Sequence, residues 1–155
     1  MTPAIEMAKR AGISYSTHSY DHDPKHQSFG MEAVEKLNLP AAQVFKTLVV
    51  SLEGKGLAVG VVPVSSKLDL KLLAKVLAVK KVSMADARAV ERSSGYVLGG
   101  VSPLGQKRQL PTVVDASAEN FSTIYVSAGK RGLEIELTTR DLVKLLSALV
   151  AEIAK

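Results

Sequence analysis

Residues able to do chemistry cluster at a few places in this 155-residue chain. His18, His22 and His26 stand four apart beside Asp21 and Asp23. On a helix that spacing would stack three imidazoles on one face and offer a metal site. Pro24 and the alternating residues ahead of Tyr20 argue against a helix there, so solvated loop histidines are expected and no metal. The run from Gly100 to Lys107 has the glycine spacing of a phosphate-binding loop, but it carries Pro103 and lacks the Gly-Lys-Ser/Thr ending, which excludes nucleoside triphosphate hydrolysis. With no cysteine in the chain, disulfide frameworks, thiolate zinc sites, iron–sulfur clusters and a cysteine nucleophile are excluded together. No Ser-His-Asp arrangement is legible either.

Lys46 stands apart because it interrupts the apolar run Val44-Phe45-Lys46-Thr47-Leu48-Val49-Val50. Alternation places it on one strand face with Val44 and Leu48, either as a solvent-facing edge lysine or as an amine aimed into a pocket. Three basic pairs follow: Lys80-Lys81, Lys107-Arg108, and Lys130-Arg131 held between Gly129 and Gly132. Each alone is an ordinary solvated turn. Together, with 20 Lys+Arg against 15 Asp+Glu and a net charge of +5, they suit the phosphate backbone of a nucleic acid.

The elements that must position these groups follow from periodicity. Thr2 caps a first helix with Pro3 in its first turn and Gly12 at its end. Residues 13–20 alternate as a strand, and Met31, Val34 and Leu37 mark a helix that Leu39-Pro40 closes. Residues 44–52 and 57–64 form a hairpin about Glu53-Gly54-Lys55-Gly56. Ser66 with Asp69 reads as a capping box, residues 80–84 as a short strand, and Asp86 as the cap of a brief helix ending near Gly95. The irregular stretch from Tyr96 to Gly105 is the kind of loop that carries function. Strands near Thr112–Val114, Thr123–Val126 and Leu133–Leu137 precede a final helix opened by Thr138 and Asp141, with Leu142, Leu145, Leu146, Leu149 and Ile153 on one face. Several strand connections are too short for crossover helices. The expected fold class is therefore α/β of the α+β type: a mixed, largely antiparallel, barrel-like sheet with peripheral helices, in one domain spanning 1–155. The N-terminus lacks a signal-peptide pattern and no apolar run approaches a membrane span, so a soluble cytoplasmic protein is expected.

Three blocks in order resemble the YbaK/EbsC family: Phe45-Lys46-Thr47-Leu48-Val49, the run from Gly95 to Gly105, and Ile124-Tyr125-Val126-Ser127-Ala128-Gly129-Lys130-Arg131-Gly132. The resemblance extends from the Met1-Thr2-Pro3 start through Glu136-Leu137. It implies the fold shared with editing domains of bacterial prolyl-tRNA synthetases, and a deacylase acting in trans on mischarged Cys-tRNA(Pro), with Cys-tRNA(Cys) as a further substrate. The family's lysine maps onto Lys46, its glycine loop onto Gly99 and Gly100, its serine onto Ser127, and its pocket residues onto Tyr20, Phe29 and Thr47. Glu134 stands where an aspartate is more usual. No cofactor and no metal are implied. The partners implied are the aminoacylated tRNA end and prolyl-tRNA synthetase; the charge pattern makes Lys107, Arg108, Lys130 and Arg131 the surface expected to meet that end, and DNA and membrane are not expected.

The family's proposed mechanism lets the substrate thiol attack its own ester carbonyl and leave as a thiolactone, which makes the missing protein nucleophile intelligible. On this reading Lys46 holds the ester end or terminal phosphate, and the backbone N–H groups of Gly99 and Gly100 approach a developing oxyanion. Two alternatives stay open: a deacylase for Ala-tRNA(Pro) or another small residue that activates water, and a non-catalytic module binding tRNA or a synthetase.

Overall fold

The computed structural model describes every residue except Gln27, and every side chain among them except that of Phe29. Its elements, in order, are α1 (Pro3–Ala11), β1 (Tyr15–Ser19), α2 (Phe29–Leu37), β2 (Phe45–Leu52), β3 (Gly56–Pro63), α3 (Leu70–Val76), β4 (Val82–Met84), α4 (Ala87–Ser94), β5 (Thr112–Asp115), a 3-10 turn (Ala116–Asn120), β6 (Thr123–Lys130), β7 (Leu133–Thr138), α5 (Thr139–Leu146) and β8 (Leu149–Ala151). The expected hairpin is β2–β3, paired antiparallel from Phe45↔Pro63 to Leu52↔Gly56. The strands form two sheets, β1-β7-β6 and β4-β2-β3-β5-β8. The first is antiparallel, whereas β3–β5 and β5–β8 run parallel. An isolated bridge, Val44 to Tyr125, joins the sheets at one corner. The expected mixed fold is present; closure into a barrel is not, because backbone pairing between the sheets is confined to that corner among the described residues.

Two cores follow from strand alternation. Phe45 and Val49 of β2 face a core shared with Ile124, Val126, Ile135 and Leu137 of the smaller sheet, and with Leu142 and Leu146 of α5. Val50 and Leu52 face the other way, toward Leu73 of α3, Val113 and Ile153. Burying this apolar surface supplies most of the driving force for folding.

The helix starts use the caps their sequences advertise. Thr2, Ser28, Asp86 and Thr138 each accept a hydrogen bond from the third residue onward, Ile5, Met31, Ala89 and Asp141. Three expectations are corrected. Asp69, not Ser66, caps α3, accepting from the N–H groups of Lys71 and Leu72. Asn38, left-handed at φ 55°, ends α2 before Pro40 is reached. The final helix stops at Leu146, where Ser147 turns left-handed at φ 49°, and residues 149–151 become a strand beside β5. A buried carboxylate explains the last difference. Asp115 accepts hydrogen bonds from the N–H groups of Ile153 at 2.9 Å and Ala154 at 3.1 Å, fixing the C-terminal segment in extended form. Leu149, expected on the buried helix face, is 54% exposed.

Candidate active site

The cavity of interest opens where β2 loses its neighbour. Val44 C=O accepts from Val64 N–H at 2.7 Å, so the even-numbered residues of β2 point their backbone groups at β3 and the odd-numbered ones at the opposite edge. On that edge Val49 C=O is met by Ala85 N–H at 3.1 Å, and Gln43 C=O by Tyr125 N–H at 3.1 Å. Between these contacts lies Thr47, and the gap is a cavity of about 320 Å³. Thr47 Oγ1 is buried in its wall with no hydrogen-bond partner among the described residues. Such a hydroxyl costs stability unless a ligand completes it.

Lys46 lines the cavity where the apolar row Leu48, Val50, Leu52 on the same strand face ends. Burial, and secondarily the charge of Lys67, holds its ammonium below the usual lysine range. The opposite wall comes from the smaller sheet. Ser127 and Glu134 are direct partners across β6 and β7 and both face the cavity. Glu134 is 7% exposed, and burial pushes its carboxyl up to about 8. At neutral pH it is mostly a neutral acid. Ser127 Oγ accepts from Gly129 N–H at 3.2 Å.

Tyr20 closes one side of the cavity and is set in place from below. Its N–H donates to Gly132 C=O at 2.9 Å, and burial, then the nearby Glu134 and Glu32, raises its phenol to about 12. Glu32 on α2 is fully buried; burial opposes its ionisation, yet hydrogen bonds from Asp23 N–H, His22 and Lys36 hold it down at about 2. His22 Nδ1 lies 2.6 Å from Glu32 Oε1 and Lys36 Nζ 3.1 Å from Glu32 Oε2. This cluster ties the Tyr20 segment to α2, whose start supplies Ser28 and Gly30 to the wall. The histidines are thus not the solvated residues expected. His18 pairs with Glu136 at 3.0 Å, His22 with Glu32 and His26 with Glu35 at 3.2 Å. None of the three lines the cavity.

The loop after α4 forms the remaining wall, through Leu98, Gly99 and Val101. Gly100 N–H donates to Val97 C=O at 3.0 Å, closing a turn with Gly99 at φ 87°. A Cβ on Gly100 would come within 2.9 Å of Lys130 Cα, so this glycine is needed for backbone packing, and its N–H is committed inside the turn. Of the two glycines only Gly99 reaches the cavity. Tyr96 anchors the loop from within, its hydroxyl donating to Leu104 C=O at 2.6 Å.

The structure therefore brings Tyr20, Lys46, Thr47, Gly99, Ser127 and Glu134 to one cavity, with Lys130 at its exposed rim. It does not bring the other basic residues there. Lys107 and Arg108 are exposed on a segment whose N–H groups bond Ser94 and Ser93 C=O, and Arg131 binds Leu98 C=O through Nε and Nη2 at 3.1 and 2.7 Å. The Phe29 side chain lies outside the described residues. Met84, Ala85, Leu98 and Ser28 line the cavity without having been singled out from sequence. Their one sequence signal is position: an exposed strand end, a glycine-flanked loop and a helix cap.

A family model described as aminoacyl-tRNA editing domain matches residues 25–145, a span that contains every cavity residue except Tyr20. The chain belongs to the aminoacyl-tRNA editing domain family. EbsC of Enterococcus faecalis, described as a candidate Cys-tRNA(Pro)/Cys-tRNA(Cys) deacylase, is 38% identical over 98% of this editing domain and 92% of its own length. Among solved structures, a candidate trans-editing enzyme for prolyl-tRNA synthetase aligns with TM-score 0.82 and 22% identity over 98% of this chain and 92% of its own. A crystal structure of a hypothetical protein aligns with TM-score 0.88 and 25% identity over 99% and 100%. The editing domain is thus an enzyme fold of the hydrolase type acting on aminoacyl-tRNA. Among its described residues, no three His, Cys, Asp or Glu side chains are grouped to hold a metal ion, and no helix is long and apolar enough to cross a membrane.

Proposed function

We propose that this editing domain removes cysteine from Cys-tRNA(Pro), with Cys-tRNA(Cys) as a second substrate, and that the substrate thiolate itself opens the ester. The observation that carries this reading is the make-up of the cavity lining: the amines of Lys46 and, at the rim, Lys130, one neutral buried carboxyl, hydroxyls, apolar side chains and backbone, with no thiol and no histidine among the described residues. A serine hydroxyl needs a base to become a nucleophile, and Ser127 has no histidine beside it in the cavity. Water would also need a base; Glu134 is mostly protonated near pH 7, but its ionised fraction has a basicity suited to that role, so a water mechanism is the competing route that the alanyl ester tests. A cysteinyl thiol of pKa about 8.5 supplies its own thiolate fraction of a few per cent at that pH.

In the step proposed, the thiolate sulfur bonds to the ester carbonyl carbon and negative charge moves onto the carbonyl oxygen. Collapse of that intermediate breaks the carbon–ribose oxygen bond. The thiol's proton has passed to water, the ribose oxygen takes one from water as it leaves with the tRNA, and the cysteine departs as a thiolactone that water later opens. Gly99 N–H and the Lys46 ammonium are the donors for the developing negative charge, where preorganised donors contribute most. An alanyl ester can occupy the same space but has nothing to attack with. That chemical filter exceeds the roughly 1–3 kcal/mol that one methylene group supplies in a pocket.

The family match and the names of the relatives support tRNA as the partner and prolyl-tRNA synthetase as an associate, which would place the protein in the cytoplasm. The exposed Lys130 at the rim, with Lys107 and Arg108 farther along the surface, is the cationic approach for the acceptor end. The test is deacylation of Cys-tRNA(Pro), Ala-tRNA(Pro) and S-methylcysteinyl-tRNA(Pro) by the purified protein. The cysteinyl ester should turn over fastest, the S-methylated one should survive, and cysteine thiolactone should be trapped. Faster turnover of the alanyl ester would replace the thiol reading with a water mechanism, and no turnover of any ester would remove the enzyme reading.

A further inference from the structure

The turn from Val97 to Gly100 has two possible faces. Gly100 N–H bonds Val97 C=O at 3.0 Å, Gly99 has φ 87°, and Leu98 is not among the residues with positive φ. A negative φ followed by a positive one defines a type II turn. A type I turn differs from it mainly by a flip of the central peptide, here Leu98–Gly99, and glycine at the third position permits both. The flip matters because the peptide is trans, so its C=O and N–H point in opposite directions. In one state Gly99 N–H faces the cavity that Gly99 lines; in the other the Leu98 carbonyl oxygen does, and an oxygen lone pair there repels an oxyanion.

Something must select the productive state, and the structure shows the contact able to do it. Arg131 is not part of the cavity lining, yet its Nε and Nη2 both donate to the Leu98 carbonyl oxygen, at 3.1 and 2.7 Å. A guanidinium presents adjacent donors in a fixed plane, which a lysine cannot reproduce. The same basic turn is braced on the loop by a second contact, because Lys130 Cα packs where a Cβ of Gly100 would lie. We propose that Arg131 is a positioning residue for deacylation: it grips the Leu98 carbonyl from outside the cavity and so turns Gly99 N–H toward the ester. This role rests on the deacylase reading above and reassigns a residue expected, from sequence, to hold tRNA phosphate.

The two roles separate in kinetics. As a positioning residue, Arg131→Ala lowers single-turnover kcat tenfold to a hundredfold, leaves KM within about twofold and leaves the salt dependence of kcat/KM unchanged, while Arg131→Lys recovers only part of the loss. A phosphate contact instead raises KM and lowers the salt slope by about one, and that result overturns the proposal. An activity-independent readout is the turn itself by NMR. The wild type should show a strong contact between Leu98 Hα and the Gly99 amide proton, as type II geometry requires. In Arg131→Ala it should give way to a contact between the Leu98 and Gly99 amide protons. An unchanged turn in a folded variant overturns the proposal even if activity falls. Wild-type protein that deacylates no cysteinyl ester brings down the deacylase reading and this role with it, whereas active wild type with unaffected variants brings down only the role of Arg131.

Discussion

Lys46 and Glu134 face the same cavity from different sheets, and burial pushes both toward their neutral forms by opposite shifts. For Lys46 the charge must survive long enough to meet the oxyanion, so Lys46→Ala should cost about a hundredfold in kcat, the scale of one oxyanion-site donor, with KM little changed. Single-turnover deacylation of Cys-tRNA(Pro) measures it. Glu134 makes a stability prediction instead. Its folded pKa, about 8, lies above its ordinary value of 4.5. The folded state therefore holds a proton that the unfolded chain has released, and stability falls as pH rises from about 4.5 to about 8, by up to about 1.4 kcal/mol per pH unit. Glu134→Gln keeps the shape of the protonated acid and removes this slope. Its melting temperature relative to wild type should climb between pH 5 and pH 8; a difference that stays flat would show that Glu134 is ionised in the folded protein. Of these residues the sequence exposes Lys46 most clearly, because a lysine breaking an apolar strand is visible in one dimension. The partners of His22 and Arg131 are not, since Glu32 and the Leu98 carbonyl become neighbours only through the fold.

At the scale of elements, the caps of α1, α4 and α5 and the β2–β3 hairpin were legible because each is written within a few adjacent residues, as with Thr138 and Asp141 or Gly54 and Gly56; at α3 Asp69 caps in place of the expected Ser66. The end of α5 was not. Leu149 and Ile153 continue a helical period, and only the distant Asp115 carboxylate, by binding the N–H groups of Ile153 and Ala154, pulls that segment into the sheet. The candidate site follows the same division: the blocks that build it were readable, but the gap along the edge of β2 away from β3, at Thr47, depends on register between distant strands. Gly100 shows how tightly two of those blocks are joined. A Cβ there would meet Lys130 Cα at 2.9 Å and Arg131 N at 3.2 Å, both backbone atoms that cannot swing aside. Gly100→Ala should therefore push the Val97–Gly100 turn away from residues 130–131. The expected cost is about 1–3 kcal/mol of stability, seen as a fall of about 3–10 °C in Tm, with a larger proportional loss of kcat/KM. Wild-type Tm and activity in this variant would show that the two loops do not need each other.

For the whole molecule, the net charge of +5 is small, so its distribution decides what it does. Two of the 20 basic residues are committed to structure here: Lys36 neutralises the buried Glu32, and Arg131 holds a carbonyl. Lys130, Lys107 and Arg108 are exposed; Lys130 lines the same cavity as Leu98, which is 41% exposed, and Met84, which is 50% exposed. An apolar lip flanked by cations fits a nucleotide end, with a base on the lip and phosphate on the ammonium groups. Phosphate contacts release counterions, so kcat/KM for Cys-tRNA(Pro) should fall steeply as salt rises, while kcat at saturating tRNA should change little. Lys130→Ala should raise KM and flatten the salt slope by about one, and Lys107→Ala with Arg108→Ala should do so less, being farther from the ester. A minimal cysteinyl ester carrying only a nucleoside should show no such slope in wild type or variants. A steep slope on that substrate would mean that salt acts on the catalytic groups, Lys46 first among them, and that tRNA is held by something other than this rim.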